Sequence, residues 1–97
     1  MSNSLEELPI PDVVRHSGQC AELVRVWLAD GSQVVTISDR LWNDPGTWGL
    51  MLVDLAKHVA RAYAQNGVPE EFALAKIREA MAAEWTTATD SSATKLM

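Results

Sequence analysis

Three polar residues recur on one apolar stretch, and they are the best candidates in this chain for chemistry. In "WGLMLVDLAKHVARAY" (48–63), Asp54, His58 and Arg61 stand four and three positions apart, the spacing that brings side chains together on one helix face. A carboxylate beside an imidazole orients the ring and favours its charged form, and a guanidinium one turn on can hold an anionic group. Together they would make a general base with its orienter and an anion clamp. The same residues also make an ordinary ion-pair stripe on a solvated face, and such pairs contribute little. The ordinary reading is favoured, because no nucleophile motif, glycine-rich phosphate loop or second carboxylate accompanies the triplet at a recognisable spacing.

A metal site can be drawn from Asp54, His58, His16 and Cys20, since each pair lies four residues apart. None of the strong zinc spacings is present, and His16 and Cys20 lie in a segment without helical periodicity. No metal and no cofactor is therefore expected. The other candidates are for contact. Arg25, Trp27 and Val34 fall on one face of an expected hairpin, and a Trp–Arg pair on a sheet face suits an interface hot spot. Cover by the N-terminal segment is the competing role for Trp27.

The elements that must carry these residues read clearly. "AELVRVWLADGSQVVTIS" (21–38) holds two runs rich in β-branched residues around Asp30-Gly31, a pair suited to a tight type I′ turn. A two-residue turn sets Ala29 opposite Ser32, Val24 opposite Ile37 and Val26 opposite Val35, with Arg25/Thr36 and Trp27/Val34 on the other face. Asp44-Pro45 opens a helix that runs to Gln65, where Asn66-Gly67 supplies a left-handed stop. Trp42 precedes the cap and is placed to staple the connector. Gly49, costly inside a helix, is expected to permit close approach of a neighbouring element.

Pro69 opens a second helix to about Trp85, with Glu70 and Glu71 in its first turn and Leu74, Ile77, Met81 and Trp85 as a core-facing stripe. With residues about 100° apart, the ionised side chains of the long helix after its first turn fill an arc of roughly 100° and apolar residues most of the rest. Such a helix asks for contact on at least two sides.

The predicted fold class is α+β: a two-layer β-β-α-α domain, its antiparallel hairpin packed on an αα-hairpin. Residues 1–20 read as an extended N-terminal arm with Pro9 and Pro11, residues 21–85 as the single domain, and the Ser/Thr-rich residues 86–97 as a flexible tail. Two strands alone are marginal in water, and Leu23, Trp27 and Val34 are too apolar for an open face. The arm or a second subunit must therefore complete the sheet, and self-association is preferred.

Bulk properties exclude several classes. The 97 residues carry a formal charge of −5 with 47% apolar and 22% charged residues, a globular composition without the basic footprint of nucleic-acid or anionic-membrane binding. No apolar run is long enough to span a bilayer, the acidic, proline-bearing start is not expected to be a secretory signal, and a lone Cys20 forms no internal disulfide. A soluble cytoplasmic protein is the expectation.

The stretch 48–63, preceded by "DPGT" and by a hairpin containing "LVRVWLADG", resembles a small proteobacterial family classed as a domain of unknown function. Its Trp-Gly and Asp-x-x-x-His-x-Ala-x-Ala-Tyr elements carry the likeness, which covers residues 8–85. The resemblance implies a self-contained domain and brings no activity or catalytic residue. The function expected is a small non-enzymatic protein-interaction module, with a homodimer as its preferred form. The alternative is a small enzyme or ligand-binding sensor using the Asp54/His58/Arg61 stripe.

Overall fold

The structure, a computed structural model, describes residues 5–87 and the backbone of residues 93–96. Its elements follow the order α1 (Asp12–Arg15), β1 (Val24–Ala29), β2 (Ser32–Ile37), α2 (Gly46–Gln65), α3 (Glu70–Thr86) and β3 (Ala93–Leu96). The α+β order with an antiparallel hairpin followed by two helices is the one expected.

β1 and β2 pair in the expected register, with Val24 opposite Ile37, Val26 opposite Val35, Trp27 opposite Val34 and Ala29 opposite Ser32. Asp30 and Gly31 take φ of 52° and 81°, the two left-handed positions that a type I′ turn demands. α2 begins where Asp44 Oδ1 accepts the amide of Gly46 at 2.9 Å, with Pro45 already in helical conformation. It ends in a Schellman motif: Val68 N–H donates to the Tyr63 carbonyl at 3.1 Å and Gly67 N–H to Ala64 at 3.2 Å. Gly67 sits at φ 95°, so the closing residue needs the freedom of glycine. α3 then folds back along α2, and Ala60 and Ala73, 0% and 6% exposed, are the buried residues of the described chain.

Three features depart from expectation. The segment expected as a flexible tail contributes β3, which pairs parallel to β2 and completes a sheet of order β1-β2-β3; residues 88–92 and 97 of that segment lie outside the described residues. The third strand thus comes from the C-terminal side, and the N-terminal arm, extended apart from the single turn of α1, adds none. Backbone pairing on a free edge ties down a stretch whose side-chain pattern gives no strand signal.

Second, the hairpins do not close on one another within the chain. Among the described residues, no Cα of the sheet lies within 8 Å of a Cα of α2 or α3. The layering expected of the two hairpins is therefore not made among the described residues of the chain. The third departure follows from it. Trp85, expected in the core, is 83% exposed, and a side chain on Gly49 would meet nothing within 4 Å. Only the inner half of the α3 stripe, Leu74 and Ile77, is partly covered. The radius of gyration is 15.8 Å, against about 12.5 Å for a compact domain of this length.

Candidate functional site

The helical triplet is spread along the outside of α2. Asp54, His58 and Arg61 are all exposed, and no hydrogen bond or ion pair joins the first two. Arg61 turns instead to α3, where its Nε lies 3.7 Å from Glu70 Oε2, both groups about half exposed. That contact staples the end of α2 to the start of α3 across the turn. Among the described residues His58 stands exposed on the outside of α2, and a base and an anion clamp gain strength in a water-excluding cleft.

His16 and Cys20 are held by backbone of the arm. The ring Nδ1 of His16 lies 2.9 Å from the Asp12 carbonyl oxygen, and the Cys20 thiol donates to the Val14 carbonyl at 3.6 Å. Among the described residues, no three His, Cys, Asp or Glu side chains gather around a point that could hold a metal ion.

The Arg25/Trp27/Val34 face is the more built of the candidates. Arg25 Nε donates to Glu22 Oε2 at 2.6 Å, and its Nη1 lies 3.2 Å from Glu7 Oε2. Glu22 foremost holds the guanidinium above its usual pKa; desolvation opposes it, and Glu7 adds to the rise. The ion pairs bring the N-terminal arm alongside β1. Trp27 lines the resulting groove of about 570 Å³ together with Leu8, Ile10 and Val14 of the arm and Val24 and Val26 of β1. This face is thus partly covered by the arm itself, and Arg25, Trp27 and Val34 are all only partly exposed.

The open surfaces lie elsewhere. On the opposite sheet face Leu28 is 82% exposed and Val26, which also borders the arm's groove, 57%, while Val24, Val35 and Ile37 are half-buried. A second groove, of about 810 Å³, runs between the helices, lined by Leu52, Val53, Ala56, Leu74, Met81 and Ala82 with Lys57 and Arg78 at its rim. The flank of α2 adds Leu55 and Val59, both exposed. Trp42 meets Trp48 edge to face at 5.0 Å, and this ring pair fastens the connector to the first turn of α2. The signal for these open faces is the apolar content spread around the girth of the helix, which asks for contact beyond its own neighbours.

Comparison with known proteins gives a family and solved structures of similar fold. The profile of a domain of unknown function, DUF5076, matches residues 7–89, and the chain belongs to that family. A solved structure from the photosynthetic bacterium Rhodopseudomonas palustrus CGA009, provisionally described as a pyruvate dehydrogenase, is 34% identical, with a TM-score of 0.74 over 97% of each chain. No curated protein matches the sequence. No helix among the described residues is long and apolar enough to cross a membrane.

Proposed function

We propose that this member of the DUF5076 family is a small protein-interaction module without catalytic activity of its own, and that it works as a homodimer. The carrying observation is its surface. The chain exposes 8622 Å², whereas a folded monomer of its 10.6 kDa exposes about 5,500 Å². The excess of roughly 3,000 Å² per chain, about 6,000 Å² over two chains, lies at the upper end of what permanent homodimers remove from water. It is apolar on the sheet face, in the interhelical groove and at Trp85, which is the composition of an interface and not of a solvated surface. The exposure of His58 supports the same reading, since a general base works against a substrate held in a cleft.

Gel filtration with light scattering at tens of micromolar tests it. The expected mass is that of two chains; a monodisperse monomer overturns the reading. The cytoplasm is the proposed compartment, on the single unpaired Cys20, which suits a reducing environment.

The description of the Rhodopseudomonas relative favours a second reading, an enzyme acting on a 2-oxo acid, with Arg61 holding the carboxylate and His58 and Asp54 moving protons. Oxidising such a substrate needs an electron acceptor, so the assay supplies a nicotinamide or flavin acceptor alongside pyruvate. Pyruvate consumption by the purified protein, abolished in His58→Ala, would establish that reading over the first. The expected result is no consumption by either protein.

A further inference from the structure

We infer that the homodimer forms by exchange: the open face of the β1–β2 hairpin of one protomer lies on the α2–α3 pair of its partner, and the reverse. This rests on the homodimeric reading above and specifies its interface. The chain carries both halves of a two-layer packing, and it leaves Val26 and Leu28 of the one and the interhelical groove of the other exposed. The hairpin presents Val24, Val26 and Leu28 with Val35 and Ile37 on one face, because alternate residues of paired strands point the same way. The helices present an apolar groove between Leu52, Val53 and Ala56 on one side and Leu74 and Met81 on the other. A β-branched sheet face and an apolar helix groove are the usual complements in α+β packing. Within the protomer they stay more than 8 Å apart at every described Cα.

The connector explains why they stay apart. Residues 38–45 leave β2 and enter α2 through two fixed points, the edge-to-face contact of Trp42 on Trp48 and the Asp44 bond to the Gly46 amide. Both hold the chain to the first turn of α2, so the connector does not act as a loose hinge that folds the hairpin back. A hairpin directed away from its own helices meets the equivalent helices of a second copy, and two-fold symmetry makes the exchange reciprocal and closed.

The area agrees. One sheet face resting on another would cover the hairpins alone and leave the helix groove and Trp85 in water. Exchange covers sheet and helices on both protomers at once, in keeping with a large total of about 6,000 Å² over two chains. The second copy also supplies the neighbour that Gly49 lacks within its own chain.

Disulfide trapping decides the matter. In a Cys20→Ser background, one full-length chain carries Val26→Cys and a second, size-tagged chain carries Val53→Cys; the two are unfolded together, refolded and oxidised. A disulfide forms only where Cα atoms come within about 7 Å. The mixed Val26–Val53 pair is expected to exceed either like-with-like pair by about tenfold, given that geometric limit. Leu28→Cys with Leu52→Cys repeats the test should the first pair fold poorly by circular dichroism.

A dimer by light scattering whose like-with-like pairs dominate overturns exchange and leaves the homodimer standing. One chain bearing both cysteines that closes on itself as a monomer overturns both. A monomer at tens of micromolar likewise overturns both.

Discussion

Asp54, His58 and Arg61 show how far spacing reaches. Their positions on one helix face follow from the 3.6-residue turn, and the structure keeps them there. What spacing does not carry is the partner: Arg61 is 3.7 Å from Glu70 of the next helix, a contact set by the turn between the helices. A half-exposed pair of this kind contributes little, so Arg61→Ala should lower stability by about 0.5 kcal/mol or less. His58→Ala, on an exposed face, should stay within about 0.5 kcal/mol of the parent. Urea unfolding of both variants measures this, and a loss of 2 kcal/mol or more, the scale of a buried charge losing its partner, would mean that the stripe is covered in the working molecule. Trp27 was legible as an aromatic on the Arg25 side of the hairpin. Its neighbours in the arm were not, because Glu7 and Arg25 are joined by charges eighteen positions apart.

At the scale of elements, legibility tracks locality. The hairpin register came from period-two alternation and one dipeptide, and the ends of α2 from Asp44-Pro45 and Asn66-Gly67, all signals contained in a few residues. β3 was not legible, since "ATKL" lacks alternation and its pairing with β2 spans the whole helical segment. The cap at Gly67 makes a clean prediction. Its φ is 95°, and a Cβ there would meet nothing within 4 Å. Gly67→Ala therefore carries only the conformational penalty of the left-handed region, about 1–2 kcal/mol. Gly18→Ala, in open space and at no positive φ, should cost under about 0.5 kcal/mol and serves as the control. Thermal or urea unfolding compares the two, and equal losses would count against the Schellman cap as the source.

For the whole molecule, the sequence carried the surplus of apolar residues but not where it is spent. A helix that is apolar over most of its girth is equally satisfied by its own hairpin or by that of a copy, since hydrophobic burial has no direction. Only the placement of the connector distinguishes the two, and ring contact between Trp42 and Trp48 is a tertiary fact. If the protein is an obligate homodimer, its unfolding is linked to concentration, and the melting temperature must rise on going from about 1 to 100 µM, because association draws the folded state by mass action. Leu28→Asp sharpens the same point. On a solvated sheet face, where Leu28 is 82% exposed in the single chain, a carboxylate is harmless within about 0.5 kcal/mol. In an interface it must be dehydrated without a partner, which costs several kcal/mol, so the dimer dissociation constant read by sedimentation equilibrium should rise at least a hundredfold, on the rule that about 1.4 kcal/mol is tenfold. Circular dichroism would report little change in the hairpin and helices at concentrations where dimer persists. An unchanged dissociation constant would take the Val26/Leu28 face out of the interface and return the surplus surface to the flank of α2.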